Sequence, residues 1–441
     1  MGFAQRCLAV LIALSFGAAA AFAGGFQVNE HGAKGMGMSG AFVAQANDGS
    51  AIFYNPAGLA FQKGFCVLLG GTFIMPRTSY TNPSGGATDM VAQNFPIPNG
   101  YITYGLDNGL SFGVGVFAPY GLGTEWPNDW EGQREAVKTD LSAIYINPAI
   151  AYKFHETFSV GVGFSYIIGN VSLKQRVGIS GTPPIGMPLP ASGYDPSDGT
   201  AELDGNGNGF DFSAGFLWKP SPEFSLGASY RHSAEIDYEG DAKFVAPPVT
   251  QIIPPLRPLF PNGLQQYFPG GTGKTTITNP NNLWVGAALT PVPEFTVEVD
   301  AQWVFWQVYD TLKLDIPVGP PAPPPISVPF QRPIISAKDW DNSLILRLGG
   351  EYRLKEIAVR AGVVYDFNPQ PDKSVEPLLP DTDRFEATVG IGWQFTKNWR
   401  VDAAYQLILG QDRTVTAPVN PFPGTYTTNA NLFALNVGYT M

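Results

Sequence analysis

The chain ends on Asn431-Leu432-Phe433-Ala434-Leu435-Asn436-Val437-Gly438-Tyr439-Thr440-Met441, and the reading of this stretch decides the fold. Phe433, Leu435, Val437, Tyr439 and Met441 fall on one side of a period of two. Ala434, Asn436, Gly438 and Thr440 fall on the other, which is the pattern of a strand with one apolar face. Such a strand needs a pairing partner for its backbone and an apolar surrounding for its large side chains.

Composition narrows what that surrounding is. Of 441 residues, 44% are hydrophobic and only 14% charged, against about 25% charged in ordinary soluble proteins. Beyond the first 23 residues no apolar run reaches the ~18 residues of a spanning helix. The formal charge of -11 disfavours a nucleic-acid partner, which needs a basic patch. Residues 1–23 carry one Arg, an apolar run from Cys7 to Phe22 and the small-residue site Ala21-Phe22-Ala23, as a secretory signal removed near Gly24 does. Cys7 leaves with it, so Cys66 stands alone and the mature chain forms no internal disulfide and no cysteine-based metal site.

From Phe65 onward about 14 strand-like segments recur, each long enough to cross a bilayer as a tilted strand of roughly 9 to 11 residues. Tight turns join Leu106 to Leu110, Phe154 to Phe158, Lys219 to Glu223, Pro291 to Glu294, Leu354 to Glu356 and Thr396 to Trp399. Between them fall long connections at 79–95, 119–140, 177–200, 246–274, 316–340, 368–382 and 416–428. Strict alternation of short and long predicts an antiparallel transmembrane β-barrel with short periplasmic turns and long outer loops. The faces agree: Phe385, Ala387, Val389, Ile391, Trp393 and Phe395 read outward, while Glu386, Thr388 and Gln394 read into a lumen. The terminal strand then closes on the first, and its apolar face meets lipid.

Residues 24–64, rich in glycine, precede the barrel at 65–441. They resemble the plug, or hatch, of the FadL family of outer-membrane transporters of long-chain fatty acids and aromatic hydrocarbons (OMPP1/FadL/TodX-like). The resemblance rests on Gly25-Phe26-Gln27, on Ala46-Asn47-Asp48 to Ser50-Ala51, and on Asn55-Pro56-Ala57-Gly58. It continues in Ala118-Pro119-Tyr120-Gly121-Leu122 to Trp126, Trp130-Glu131-Gly132-Gln133-Arg134, and Asn147-Pro148-Ala149-Ile150-Ala151-Tyr152. The chain departs from many such barrels by ending on Met441 rather than Phe, and by the proline content of 246–274 and 316–340.

The resemblance implies passive uptake of hydrophobic molecules, long-chain fatty acids first, through a single barrel without cofactor, metal or catalytic residue. An outer surface with Phe117, Tyr120, Leu122, Trp126 and Trp130 collects the ligand. A pocket beside Gly25, Phe26, Val28 and Phe53 receives it, and the Asn55, Pro56, Ala57 motif holds the plug. Plug movement then releases it sideways at a kinked third strand, for which Gly113 and Gly115 are the candidates. Aromatic hydrocarbon uptake, a general porin and an adhesive barrel are the alternatives, and an open porin has no use for 40 residues of plug.

Other signals carry less. PGGTGKTT at 269–276 lacks the first glycine and the helix of a phosphate loop. Asp204-Gly205-Asn206-Gly207-Asn208-Gly209 copies half a calcium loop, but position twelve is Gly215 rather than Glu. Glu298, Asp300, Arg347, Glu351, Arg360, Glu386, Arg400 and Asp402 read as a lumenal network anchoring the plug, with an Arg available to a substrate carboxylate. The apolar loops APPVTQIIPPLRPLFPNGLQQYFPG and PVGPPAPPPISVPFQRPIIS read as a ligand-collecting surface.

Overall fold

The computed structural model describes residues 24–177, 180–181, 199–246, 258, 260–321, 326–327 and 333–441. The signal expected at 1–23, residues 178–179 and 182–198 of the connection expected at 177–200, 247–257 and 259 of the first proline-rich loop, and 322–325 and 328–332 of the second lie outside the described residues.

Fourteen strands form the wall. They are β1 (Gly64–Thr81), β2 (Phe95–Gly105), β3 (Leu110–Glu125), β4 (Lys138–His155), β5 (Phe158–Val177) and β6 (Gly199–Ser221). Next come β7 (Phe224–Arg231, resumed at Ala234–Val245), β8 (Gly271–Asn279 and Asn281–Val292), β9 (Phe295–Phe305, resumed at Thr311–Asp315) and β10 (Ile334–Ala337 and Ser343–Leu354). The last are β11 (Ile357–Asp366), β12 (Arg384–Gln394), β13 (Trp399–Gly410) and β14 (Gly424–Thr440). Each pairs antiparallel with its neighbour in sequence, and β14 pairs with β1 from Cys66↔Thr440 to Thr81↔Thr425. The terminal strand closes the ring, so its backbone groups find partners on both sides.

Alternation puts Phe385, Val389, Ile391 and Trp393 of β12 outside, beside Phe433, Leu435 and Val437 of β14. Phe154, Trp218, Trp393 and Trp399 are exposed next to the tight turns, a ring of amphipathic rings at one interface. The half calcium loop at 204–209 is part of β6, paired on both sides with β5 and β7, and residues 271–276 of the phosphate-loop lookalike run in β8.

Residues 24–63 fill the lumen with two short helices, α1 (Ala33–Gly37) and α2 (Ala51–Tyr54), and a 3-10 turn, Pro56–Phe61. Isolated segments this short do not hold themselves, so the wall must fix them. Asp300 Oδ2 accepts from the amides of Phe42 and Val43 (2.9 and 3.1 Å), Glu298 Oε1 from Ala44 (2.6 Å) and Asn436 Oδ1 from Ala33 (2.7 Å). Arg360 bridges Glu351 (2.7 Å) and Asp402 (2.8 Å), and Arg400 joins Asp402 to Asp48 of the plug (3.2 Å to Asp48).

Candidate functional site

The irregular part of the wall lies between β2 and β3. These strands pair only from Gly100↔Val116 to Gly105↔Ser111, so residues 95–99 and 117–125 face each other without a ladder. The chemistry is legible: Pro96 and Pro98 on one side and Pro119 on the other bring no N–H to the gap. On its other edge β3 slips register against β4 between Phe117 and Tyr120, a bulge at Ala118-Pro119. The kink thus sits at Ala118-Pro119, and not at the expected Gly113 and Gly115. Both glycines are regularly paired with β2 and β4, and they make room for Ile52 of α2, which a Cβ at either would meet at 3.0 and 3.1 Å.

The start of the plug completes the bulge. Val28 N–H donates to Pro119 O (2.8 Å) and Gly121 N–H to Phe26 O (3.1 Å), so residues 26–28 act as a one-bridge strand where β2 is missing. Phe26 is buried in a box of rings: centroids lie 4.7 Å from Trp306, 5.7 Å from Tyr309, 6.0 Å from Tyr120 and 6.1 Å from Trp340. Gly25 adopts φ 64° and fits because it has no Cβ, which would stand 2.6 Å from Trp340 and 2.7 Å from Trp306. Gln27 enters a buried amide cluster, donating to Asn282 Oδ1 (3.0 Å) and accepting from Gln302 (3.1 Å), while Asn282 donates to the Tyr120 hydroxyl (2.9 Å). Gly25 N–H donates to Asp381 Oδ2 (3.0 Å) in the connection between β11 and β12. Burial pushes the Asp381 carboxyl up to about 6, against the pull of Arg384.

Two cavities adjoin this segment and a third continues from them. One of about 230 Å³ lies between Phe26, Val28 and the β2–β3 gap, and includes Phe95, Ile97, Tyr120, Leu122 and Arg384 in its lining. A second, about 80 Å³, shares Phe26, Leu122, Leu141 and Leu379 with it. A third, about 290 Å³, runs outward and shares Leu173, Leu312, Leu314, Lys338, Glu376 and Leu378 with the second. Their walls are mostly apolar, with Glu30, Asp381 and Arg384 at the first and Arg134, Glu135, Lys174 and Glu202 at the third. At the junction of the second and third stands Lys338, 3% exposed and paired with Glu376.

The remaining expected residues divide. Phe117, Tyr120 and Leu122 belong to β3 rather than to an outer loop, because the strand runs on to Glu125, and Tyr120 and Leu122 face the cavities. Trp126 and Trp130 stack on each other at 4.4 Å, beneath Tyr80, Met90 and Tyr426, with their N–H groups donated to Pro377 O and Ala136 O. They brace the outer connections and line none of the three cavities. Phe53 is buried against His31 (4.2 Å) and Phe117 (5.4 Å), one layer below Phe26. Asn55 accepts from Ala57 N–H (3.1 Å), capping the Pro56–Phe61 turn, and donates to Val43 O and Phe216 O (both 2.9 Å), which ties plug to plug and plug to wall.

A barrel closed by a hatch, with a gap in its wall covered from inside, has close counterparts. The sequence profile of the family described as outer membrane protein transport protein (OMPP1/FadL/TodX) matches residues 14–441. The chain belongs to that family. The long-chain fatty acid transport protein of Escherichia coli K12 is 25% identical over 465 residues, covering 99% of this chain and 98% of its own. The 47 kDa outer membrane protein of Pasteurella multocida is also 25% identical, over 99% and 98% of the two chains. Among solved structures, a Pseudomonas aeruginosa FadL homologue superposes with TM-score 0.78 at 20% identity, covering 95% and 100%. The toluene transporter TodX of Pseudomonas putida gives 0.69 at 16%, covering 94% and 99%. The protein is an outer-membrane transport barrel.

Within the FadL-family frame, the sequence points to Phe26 but misses its box. Trp306 and Trp340 lie where the strand-like reading runs straight through 294–315 and begins again at 341. A signal exists for Trp306: Trp303 faces out and Val304 in, so parity turns Trp306 inward too. Lys338 and Asp381 come from long connections, for which periodicity says nothing.

Proposed function

We propose that this barrel takes up long-chain fatty acids by passive diffusion, entering from the outer connections and leaving sideways through the β2–β3 gap. The observation that carries the reading is the run of mostly apolar cavities from the outer connections to Phe26, with the buried ammonium of Lys338 part-way along it. An acyl chain left in water loses about 0.8 kcal/mol per methylene, roughly 10 kcal/mol for a long one, so its path must stay apolar. The carboxylate end needs one cation where the tail leaves water, and Lys338 offers that by exchanging Glu376 for the ligand. The E. coli relative named above supports the same class. A toluene-like ligand has no use for a buried cation in the run, although the likeness to TodX extends to the whole fold.

In this reading residues 24–28 are the gate. While Phe26 occupies its box and the 26–28 bridge occupies the bulge, the inner two cavities are divided and the gap is covered. When the segment leaves, the cavities merge and open toward the lipid between Phe95–Asn99 and Phe117–Glu125. Nothing in this route needs ATP or bond breaking, so the protein acts without enzymatic chemistry, and a route within one barrel needs only one chain. The test is binding of a fluorescent fatty acid to purified barrel, competed with oleate, toluene and a disaccharide. Displacement by oleate, and a tenfold or greater loss of affinity in Lys338→Met, on the order of a charge-assisted hydrogen bond, are the expected results. Displacement by toluene with no effect of Lys338→Met replaces fatty acid by aromatic hydrocarbon. A large open conductance without binding removes both.

A further inference from the structure

Around residue 24 the lumen gathers more carboxyl groups than cations. Asp366, Asp381 and Glu386 are buried there and Glu30 is half-buried beside them. Two guanidiniums act on this group, Arg384 and Arg347. Four carboxyl groups there face two guanidiniums. Arg384 is shared, at 3.0 Å from Asp366 and 3.9 Å from Asp381, and Asp366 Oδ1 is buried without a donor from the wall. A buried carboxylate oxygen without a donor is costly, so a cation is expected at that spot.

Gly24 stands there. A Cβ on it would lie 2.7 and 3.1 Å from the two oxygens of Asp366 and 3.3 Å from Arg384, and its nitrogen faces the same carboxylate. In a chain that begins at Gly24 this nitrogen is an α-ammonium group, a cation with three donors. We propose that the α-ammonium freed on Gly24 by removal of residues 1–23 ion-pairs with Asp366, and that this pair latches the gate segment 24–28 onto the wall. The proposal rests on the reading of 24–28 as the gate. It makes the signal cut a functional step: the precursor carries an amide at this nitrogen and cannot form the pair, so the gate is armed only in the mature chain. Any extension by one residue moves the charge about 3.4 Å from its socket.

The test uses the mature barrel extracted from the outer membrane, its start at Gly24 checked by intact mass. The amine is trace-labelled with acetic anhydride at about pH 8, near the ordinary α-amino value, and the N-terminal peptide is quantified by mass spectrometry. Two variants are compared: Asp366→Asn, and a chain with one Gly inserted between Ala23 and Gly24. Heat-modified gel mobility confirms that each barrel is folded. The expected result is labelling at least about fivefold slower in the wild type than in every folded variant, since an ion-paired ammonium keeps its proton. A smaller ratio against either, or a mature chain beginning elsewhere, overturns the proposal. The inserted chain decides alone if Asp366→Asn does not fold. Fatty acid binding is measured on the same wild-type sample. Its absence sinks the uptake reading and leaves the labelling ratio untouched, whereas a flat ratio with normal binding sinks only the latch.

Discussion

At the scale of single residues, the site depends on two positions whose substitution gives opposite kinds of failure. Gly25 holds a left-handed φ of 64° with no room for a side chain between Trp306 and Trp340. Gly25→Val therefore cannot keep Phe26 in its box. The ring contacts there contribute about 0.5–1.5 kcal/mol each beyond burial, so the segment leaves while the barrel stays intact. Tryptophan emission of the folded barrel is expected to shift to the red, and an unshifted spectrum would show that Phe26 is still docked. Asn55 is a different case. Asn55→Ala strips donors from the buried carbonyl of Val43 and the half-buried carbonyl of Phe216 and the cap from Ala57, with a buried loss worth about 1–3 kcal/mol. The plug is expected to loosen from the wall, seen as protease cleavage within 40–60 that the wild type resists. Resistance equal to the wild type would mean that the motif is not an anchor.

At the scale of elements, the wall was legible and the gate only in part, for one physical reason. A strand facing lipid on one side and a lumen on the other writes a period of two into its own residues, as in Phe385 to Phe395, and the alternation of turns such as Leu354–Glu356 with long connections adds the topology. The gate instead brings Trp306, from the break in β9, together with Lys338, Trp340 and Asp381 from two long connections, a meeting that no local pattern records. Gly113 and Gly115 misled because glycine fits a kink and a close approach equally well, whereas the prolines at 96, 98 and 119 carried the real signal. The β11–β12 connection also makes the gate sensitive to pH. The Asp381 carboxyl, raised to about 6 from 3.8, favours the docked state when protonated. Its contribution is full below about pH 4 and is lost as pH rises through about 6. Facing it are Asp366 on β11 and Arg384 on β12; Glu386 on β12 and Glu30 of the plug share that Arg384, Arg347 on β10 acts on Glu386, and Asp383 lies two residues along the chain. In the chain with one Gly inserted before Gly24, tryptophan emission is expected to report gate release between about pH 5 and 7. A flat profile over that range would show that Asp381 does not hold the gate segment.

At the scale of the whole molecule, two exits compete, one along the barrel axis and one through the wall, and different residues close them. The axial path is closed by the plug, which Asp300 and Glu298 hold through the amides of Phe42, Val43 and Ala44. The lateral path is closed by residues 26–28 and, on the β2 side, by Phe95, whose ring reaches across the unpaired gap until a Cβ on Gly123 would touch it at 1.9 Å. Closing one path leaves the other free, so the two can be opened separately. Phe95→Ala removes the ring that spans the gap without touching the plug. It is expected to speed delivery of fatty acid from proteoliposome-embedded barrel to the membrane about threefold or more, with binding altered by less than about 1 kcal/mol, a factor of five. Single-channel conductance to small ions is expected to stay at the wild-type level. The pair Glu298→Ala and Asp300→Ala should do the reverse, raising conductance as the plug loosens while leaving the rate of fatty acid delivery unchanged. If Phe95→Ala raised conductance, or the plug pair sped delivery, the hydrophobic route would run down the axis and the gap between β2 and β3 would be no exit.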